Sequence, residues 1–382
     1  MLLTDKTSAR WDGNPFVVRV STDPDRPEPL RAKEALLLSP TCQTASPGFR
    51  AYLNSTDLRL QSSKPEAPVI PLPSSLSYLV DGDIVQIRPL TGDLRVIYRK
   101  GSRHNSVIVT RECNNYCLMC SQPPNETDTE SASLLWDSIP LMDIDTPGLI
   151  FSGGEPSLLG QRFIELIRRA KSFLPHTALH ILSNGRLFKY LNFAKDIADV
   201  HHPDIVIGIP LYSDVSHEHD EIVQAEGAFD DTVRGILNLA RCGVAVELRI
   251  VITSMNSASL KRFARFVARN FPFCCNVAFM GLEPVGFAKT NIKSLWVDPV
   301  DYESGLNSAL CLLEAHNIPA SIYNHQLCTL RRDLWRFARQ SISDWKNVFL
   351  DACQPCAVKH ECCGLFSSAA EMHSRAIKTI PA

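Results

Sequence analysis

The sequence has no long hydrophobic run and no excess of charge of either sign. None of its apolar stretches approaches the roughly 18 residues of a membrane span, and its start, MLLTDKTSARWDGN, is too polar for a secretory signal. Lysine and arginine number 39 against 41 acidic residues, for a net charge of -2, so the basic excess that binds nucleic acid or an anionic membrane is missing. We therefore expect a cytoplasmic protein that binds neither nucleic acid nor membrane.

Cysteine is too sparse for a disulfide scaffold, since 13 residues in 382 lie far below the density of small secreted proteins. Three cysteines fall between Cys113 and Cys120 and four between Cys353 and Cys363, with Cys328 ahead of the second group. These short spacings indicate metal binding in a reducing compartment. The scattered cysteines are instead expected to be small buried hydrophobic residues: Cys42, Cys242, Cys274, Cys275 and Cys311.

The chain changes character near residue 100. Residues 1–100 are rich in proline, and LSYLVDGDIVQIRPLTGDLRVIYR (76–99) alternates apolar and polar residues around two turn signals, which predicts a β-rich accessory region with a hairpin. Residues 101–300 alternate apolar runs with amphipathic helical patterns, and residues 301–382 hold the second cysteine group. We therefore expect three parts, namely an accessory region, a core and a cysteine-rich carboxyl-terminal extension.

Six short apolar runs in the core predict strands separated by helices. The runs are SVIVT (106–110), GLIFS (148–152), ALHILS (178–183), DIVIGIPL (204–211), VAVELRIVIT (244–253) and NVAFMGLE (276–283). Near-continuous apolar strands that alternate with helices are typical of a parallel sheet. The pattern predicts an α/β fold, either a partial (β/α)6 TIM-type barrel or a doubly wound sheet, with its chemistry at the carboxyl ends of the strands.

The segment RECNNYCLMC places Cys113, Cys117 and Cys120 on one loop directly after the first of these runs. Thiolates are the ligands of iron in iron–sulfur clusters, and three of them would leave one iron of a four-iron (4Fe–4S) cluster open to a substrate or cofactor. A structural zinc knuckle would need a fourth ligand nearby, and a redox thiol pair would need only CxxC. The spacing favours the iron–sulfur cluster over both alternatives.

This CxxxCxxC loop, with Met119 before its last cysteine, resembles the signature of the radical S-adenosylmethionine superfamily. The resemblance implies a partial (β/α)6 barrel, in which S-adenosylmethionine chelates the open iron of the cluster. It extends to FSGGEP, where Gly153, Gly154 and Glu155 are similar to the family's GGE motif for the cofactor's amino group. It also extends to LSNG, where Ser183 and Asn184 are similar to the segment near the cofactor's ribose and carboxylate.

Arg249 on the fifth run has two interpretations. A guanidinium fits a carboxylate bidentately, so Arg249 is a candidate for binding the carboxylate of S-adenosylmethionine. It is equally a candidate for a structural ion pair.

The second cysteine group predicts a closed four-ligand site. Cys353, Cys356 and Cys362 or Cys363 lie close together, and Cys328 lies about 25 residues upstream. Zinc and a second 4Fe–4S cluster both satisfy this count, and the neighbouring iron site favours the cluster. Cys362 fits better than Cys363, because Cys-x-Gly-x-Phe at residues 362–366 resembles the form of such motifs in peptide-modifying radical enzymes.

Several segments in the same order resemble one family, the radical S-adenosylmethionine maturases of the His-Xaa-Ser system. They are NNYCLMCSQPP, FSGGEPSLLG, GLEPVGFA, YNHQLC, SISDWK and the last cysteine motif. The resemblance implies a precursor peptide with His-Xaa-Ser repeats as the substrate, a second radical maturase as a partner, and a reductant such as ferredoxin or flavodoxin. Two alternatives stay open: a radical enzyme that acts on another protein or a small molecule, and a zinc-binding scaffold without enzymatic activity.

Overall fold

The computed structural model describes residues 3–38, 46–54, 67–128, 130–340, 347–369 and 372–381. Its contacts divide the chain into two compact units that interleave in sequence. The first unit comprises Met1–Ile108, Thr129–Ile150 and Leu166–Ala178. The second comprises Val109–Asp128, Phe151–Glu165 and Leu179–Ala382. The division expected from composition, with boundaries at residues 100 and 300, stays a prediction.

The amino-terminal strands form a mixed sheet. Within the described residues they are β1 (Thr4–Lys6), β2 (Phe16–Ser21), β3 (Glu34–Leu38), β4 (Ala51–Asn54), β5 (Val69–Pro71), β6 (Ile84–Arg88) and β7 (Asp93–Tyr98). Their order in the sheet is β1-β7-β6-β2-β3-β4-β5. β6 and β7 pair antiparallel, which confirms the predicted hairpin, and β2 to β5 pair in parallel. Fully buried apolar side chains pack on this sheet, among them Val18, Val20, Leu53, Ile70 and Leu94.

A second sheet contains all six apolar runs of residues 101–300 that the sequence predicted as strands. Its described strands are β8 (Asn105–Thr110), β9 (Gly148–Gly153), β10 (Ala178–Leu182), β11 (Ile205–Pro210), β12 (Ala245–Ile252), β13 (Asn276–Gly281) and β14 (Ala320–Tyr323). They lie side by side in chain order, and the pairs from β10 to β14 are parallel. The α/β fold with a parallel sheet is therefore confirmed. β14 is one strand more than the six expected, since its four residues are too few to form a recognisable apolar run.

Helices connect the strands of both sheets. They are α1 (Glu28–Arg31), α2 (Ser131–Ser138), α3 (Gln161–Phe173), α4 (Leu191–Ala198), α5 (Ser216–Val223), α6 (Ala228–Arg241), α7 (Leu260–Asn270), α8 (Phe287–Thr290), α9 (Ile292–Leu295) and α10 (Pro299–Ala315). α7 shows why the helical patterns were readable from sequence. Its buried residues Leu260, Phe263, Ala264 and Val267 recur every three or four positions and so form one stripe.

The two faces of the second sheet differ in polarity. In β12, Val246, Leu248 and Ile250 are at most 1% exposed, while Glu247 and Arg249 alternate with them and so lie on the opposite face. The parallel register places polar residues of the neighbouring strands on this same face. We call it the polar face and define it by His180, Glu247, Arg249, Asn276, Ser321 and Tyr323.

The carboxyl-terminal region consists of short elements. β15 (Asn347–Val348) and β16 (Leu365–Phe366) pair antiparallel. Short 3-10 helices occur along the chain at Ser74–Leu76, Ile139–Leu141, Pro156–Leu159, Arg186–Lys189, Ser257–Ser259, Leu327–Thr329, Arg332–Phe337, Asp351–Cys353 and Ser367–Ala369. Among the described residues, no helix combines the length and the apolar character needed to cross a membrane.

Candidate functional site

The loop after β8 holds three cysteines, which we call the cysteine loop (111–120). Cys113, Cys117 and Cys120 are partly buried free thiols. Cys117 lies within electrostatic reach of both other thiols, since a charge on either raises its pKa further. The structure therefore brings the three predicted ligands together.

Burial is the main influence on these thiols. It raises the pKa of Cys113 to about 11, although the backbone amides of Asn115 and Asn114 oppose the shift by donating hydrogen bonds to the sulfur. Burial likewise raises the pKa of Cys117 and of Cys120. Without a nearby cation the three groups are therefore uncharged thiols at neutral pH. A bound metal would favour their thiolate forms.

Helix α5 holds one side of the cysteine loop. The amide of Tyr116 donates a hydrogen bond to the carbonyl of Val223 over 3.0 Å, and the amide of Leu118 donates to the carbonyl of Ile222 over 3.0 Å. These carbonyls belong to the last turn of α5, where carbonyls have no partner within the helix. The loop thus satisfies the end of the helix while the helix fixes the position of the loop.

The segment after β13 holds the other side of the loop. The amide of Phe287 donates to the carbonyl of Cys120 over 2.8 Å, and Asn291 Nδ2 donates to the carbonyl of Leu118 over 2.9 Å. Gly286 has a φ of +58°, and a Cβ there would lie 2.5 Å from the carbonyl oxygen of Cys120. Only glycine permits this approach, which the sequence reading of GLEPVGFA did not anticipate.

The diglycine turn after β9 packs against the start of the cysteine loop. The amide of Gly154 donates to the carbonyl of Thr110 over 2.8 Å, and the amide of Glu155 donates to the carbonyl of Glu112 over 2.7 Å. A Cβ at Gly153 would lie 2.0 Å from the Thr110 oxygen, and one at Gly154 would lie 2.1 Å from the Glu112 oxygen. The two glycines therefore allow the protein's own backbone segments to approach each other at this turn.

Glu155 links this turn to the end of β10. Its carboxylate is fully buried, and Oε1 accepts hydrogen bonds from Ser157 and, over 2.7 Å, from Ser183 Oγ. Oε2 accepts from the amide of Asn184 over 2.5 Å. Burial raises the pKa of Glu155, while these hydrogen bonds oppose the shift. Glu155 also lies within electrostatic reach of Cys113, so three of the predicted motifs meet at one place.

Arg186 is a functional candidate that the sequence reading missed. Its Nη1 donates to the carbonyl of Asn114 over 2.8 Å and to Asn115 Oδ1 over 2.9 Å, and its other nitrogens contact Asp231. Asp231 in turn forms an ion pair with Lys189 over 2.9 Å. The guanidinium fork thus ties the cysteine loop to α6. Its position directly after LSNG was the available signal.

Arg249 is held by an ion pair on the polar face. Its Nη1 lies 2.8 Å from Glu247 Oε1, and its Nη2 contacts Met280 Sδ at 3.3 Å. Tyr212, after β11, is 7% exposed and lies within electrostatic reach of Arg249 and of the three thiols of the cysteine loop. Arg249 and the thiols therefore lie near the same tyrosine, and Tyr212 is a second residue that the sequence reading missed.

The donor set of the cysteine loop fits a 4Fe–4S cluster. Three thiols project from one loop, and the amides beside Cys113 point at its sulfur, as hydrogen bonds to cluster thiolates do. In the residues that the structure describes, no group of three or more His, Cys, Asp or Glu side chains is arranged to hold a single metal ion. A cluster has a different requirement, because each thiolate binds its own iron.

The second cysteine group is partly assembled. Cys328 lies within electrostatic reach of Cys353 and Cys362. The thiol of Cys363 and the backbone amides of Gly364 and Leu327 lower the pKa of Cys362 to about 6. The amide of Cys356 donates to the carbonyl of Cys353 over 3.2 Å.

Cys362 and Cys363 differ in their surroundings. Cys363 is 5% exposed, and its sulfur contacts the carbonyl of His325 at 3.1 Å. Its pKa is raised, chiefly because its thiol donates a hydrogen bond to Cys362. Cys362, which the sequence favoured, is thus the sulfur of the pair that readily carries charge.

Two expectations for the remaining residues have a different outcome. Cys274 is buried, but Cys275 and Cys311 are exposed and Cys242 is only partly buried. The prediction that the scattered cysteines are buried was therefore wrong for Cys275, which lies in the bend before β13, and for Cys311, which lies at an exposed position of α10. Cys42 and the motif SISDWK (341–346) lie outside the described residues.

Curated proteins resemble part of the chain. The chain is 32% identical over 155 residues to an AdoMet-dependent heme synthase of Oleidesulfovibrio alaskensis, which covers 39% of this chain and 38% of that protein. It is 28% identical over 168 residues to the mycofactocin maturase MftC of Mycobacterium tuberculosis, which covers 42% of this chain and 40% of that protein. The matched region is thus less than half of each relative.

Among solved structures, the match to Streptococcus suis SuiB bound to S-adenosylmethionine covers 66% of this chain and 55% of SuiB, with 15% identity and a TM-score of 0.48.

The Radical SAM superfamily matches residues 107–267, which run from β8 to α7 and include the cysteine loop, the diglycine turn and Arg249. This region of the chain is therefore a radical SAM superfamily domain.

Proposed function

We propose that this protein reductively cleaves S-adenosylmethionine and uses the resulting radical to modify a ribosomally made peptide. The observation that carries the proposal is the meeting of the cysteine loop with the diglycine turn and the end of β10. The residues assigned to the first cluster are Cys113, Cys117 and Cys120. Those assigned to the cofactor are Gly153, Gly154, Glu155, Ser183, Asn184 and Arg249.

When bound, a reduced 4Fe–4S cluster and S-adenosylmethionine supply a 5'-deoxyadenosyl radical that removes a hydrogen atom from the substrate. The chain contributes position and exclusion of water. Glu155, buried beside Cys113, provides a carboxyl group for the amino group of the methionine moiety. Arg249 provides a guanidinium for its carboxylate.

The second cysteine group is assigned to an auxiliary 4Fe–4S cluster, with zinc as the alternative metal. Its proposed ligands are Cys328, Cys353, Cys356 and Cys362. Cys328 lies close enough to Cys353 and Cys362 for charges on their sulfurs to raise its pKa, which supports a shared site. Such a cluster would order the substrate end of the site or relay electrons.

A peptide substrate is supported by two observations. One is the set of segments that resembles the His-Xaa-Ser system, and the other is the 28% identity to a mycofactocin maturase. We propose a precursor peptide with His-Xaa-Ser repeats as the substrate, with a second radical maturase as a partner and ferredoxin or flavodoxin as the electron donor.

A second candidate is a small-molecule substrate of the tetrapyrrole class. It is favoured by the 32% identity to a protein named as a heme synthase. Both candidates use the same first cluster, so they differ only in what occupies the space beside it.

Two experiments test the proposal. Anaerobically reconstituted and reduced protein is expected to convert S-adenosylmethionine to 5'-deoxyadenosine, Cys113→Ala to abolish this, and Cys311→Ala, at an exposed cysteine, to leave it unchanged. Equal turnover by Cys113→Ala would refute the cluster assignment. Co-expression with a His-Xaa-Ser repeat peptide is then expected to change the peptide's mass, whereas a change only in an added iron porphyrin would select the second candidate.

A further inference from the structure

Glu247 lies at the centre of a polar network on the polar face. Its Oε1 is 2.8 Å from Arg249 Nη1 and 3.5 Å from His180 Nε2. Its Oε2 accepts a hydrogen bond from Asn276 Nδ2 over 2.9 Å. Asn276 Oδ1 in turn accepts from Ser321 Oγ over 3.2 Å. Four strands, β10, β12, β13 and β14, thus contribute to the surroundings of one carboxylate.

Gly208 makes this network possible. It lies on β11, between the strands that carry His180 and Arg249, and is in register with Glu247. A Cβ at Gly208 would lie 2.8 Å from His180 Nε2 and 3.1 Å from Arg249 Cδ. The absence of a side chain at this position lets residues from the two flanking strands meet across it.

The network restricts the orientation of Arg249. Glu247 is 7% exposed, so its charge is largely removed from water. Because an unpaired buried charge is costly, Glu247 needs Arg249 as its partner. A guanidinium has five N–H donors in one plane, of which the described contacts to Glu247 and Met280 engage two. Fixing one edge of that plane leaves the remaining donors aimed in a defined direction.

We propose that Glu247 is a positioning residue, which holds the guanidinium of Arg249 in the orientation that binds the carboxylate of S-adenosylmethionine. The inference rests on the proposed function, because it needs Arg249 to contact the cofactor. It assigns Glu247 no contact with cofactor or substrate. The structural ion pair and the cofactor role of Arg249 are then compatible, since the ion pair with Glu247 orients the guanidinium for the carboxylate of the cofactor.

The test measures binding of S-adenosylmethionine to the anaerobically reconstituted full chain by calorimetry, together with KM and kcat for 5'-deoxyadenosine formation. Glu247→Gln is expected to raise the dissociation constant about tenfold, the usual value of a charge-assisted hydrogen bond, and to raise KM more than kcat falls. Arg249→Ala is expected to raise the dissociation constant at least as much. The double variant is expected to bind no more weakly than Arg249→Ala alone, because Glu247 acts through Arg249.

A matched control is Glu34→Gln. Glu34 is 4% exposed and pairs with Arg26 at 3.1 Å, so this variant also breaks a buried carboxylate–arginine pair, but outside the radical SAM domain. It is expected to leave the dissociation constant unchanged. Should Glu247→Gln lose iron or fail to fold, Asn276→Ala removes a hydrogen bond from Glu247 without removing a charge, and a rise of about twofold to threefold is expected.

The outcomes separate the two claims. If Arg249→Ala weakens binding while Glu247→Gln and Asn276→Ala do not, the positioning role of Glu247 is wrong and the cofactor role of Arg249 stands. If Arg249→Ala binds S-adenosylmethionine normally, the cofactor role of Arg249 fails, and the inference fails with it. If the double variant binds much more weakly than Arg249→Ala, Glu247 acts independently of Arg249 and the inference is also overturned.

Discussion

Arg186 donates a hydrogen bond from Nη1 to the backbone carbonyl of Asn114, 72 residues earlier in the chain and within the cysteine loop, over a distance of 2.8 Å. The same nitrogen reaches Asn115 Oδ1. We predict that Arg186→Lys weakens iron retention about tenfold, because an ammonium cannot engage both acceptors and Asp231 together. Iron per chain after challenge with a chelator measures this.

The control for this substitution is Arg262→Lys. Arg262 also bridges two acidic residues, Asp214 and Glu218, but its side chain is 49% exposed and neither acidic residue belongs to the cysteine loop. It is expected to retain iron as the unchanged protein does. Equal retention by Arg186→Lys would show that the cysteine loop keeps its shape without the guanidinium.

Replacing Gly154 tests the close approach of two backbone segments. A Cβ at this position would lie 2.1 Å from the Glu112 oxygen, so Gly154→Ala is expected to lower the free energy of unfolding by about 1–3 kcal/mol. Gly305→Ala, in helix α10, meets nothing closer than 3.6 Å and is expected to be neutral or stabilising by up to about 1 kcal/mol. Denaturant unfolding of the two variants measures the difference. Equal stability would contradict the close contact.

Acidification is expected to destabilise the protein through His219. Burial lowers the pKa of His219 to about 4 from its ordinary 6.5, and its Nδ1 accepts a hydrogen bond from the Tyr212 amide over 3.2 Å. Because the pKa of His219 is lower in the folded protein than in the unfolded chain, neutral His219 contributes its full share of the free energy of unfolding above pH 6.5. This share is lost as the pH falls toward 4. The loss amounts to about 3 kcal/mol.

The measurement is the free energy of unfolding of metal-free protein at several pH values between 7 and 4. His219→Asn keeps an acceptor but no titrating group, so its stability is expected to fall less steeply over this range than that of the unchanged protein. The control is His201→Asn, at an exposed residue whose φ of 52° suits asparagine. Parallel curves for His219→Asn and the unchanged protein would contradict the prediction.

The two neighbouring cysteines of the second group give a prediction about iron content. Cys362→Ser is expected to lower the total from about eight irons per chain to about four, because it removes a ligand of the proposed auxiliary cluster. Cys363→Ser is expected to keep about eight, since the buried thiol of Cys363 is a hydrogen-bond partner of Cys362 and of the His325 carbonyl and is not a proposed ligand. Iron and acid-labile sulfide counts on anaerobic protein decide. The reverse pattern would identify Cys363 as the ligand. Zinc without acid-labile sulfide would show that the second group binds zinc and not a cluster.

The second sheet could be predicted from the sequence because its strands are short continuous apolar runs separated by amphipathic helices. Each of the six runs forms a strand, and helices such as α7 show the expected spacing of buried residues. The amino-terminal sheet was harder to predict, since β3, β4 and β5 have five, four and three residues, and strands this short carry little periodic signal.

The site was predictable where spacing carries the signal. The cysteine loop, Glu155 and the end of β10 could be found as motifs, but their mutual contacts could not. Arg186 and Glu247 act through partners that the fold supplies, namely Asn114 for the first and His180 and Asn276 for the second. The need for a glycine at residue 286 could not be predicted either, because it depends on the backbone carbonyl of Cys120, 166 positions earlier.

The most direct test of the central claim is electron paramagnetic resonance of the reduced, anaerobically reconstituted protein, before and after addition of S-adenosylmethionine. A protein in which only Cys113, Cys117 and Cys120 hold the first cluster has an iron open to the cofactor, so its signal is expected to shift on addition. Cys362→Ser, which isolates this cluster, is expected to keep the shift, and Cys113→Ala to lose it. A reduced cluster signal that S-adenosylmethionine leaves unchanged would contradict the account.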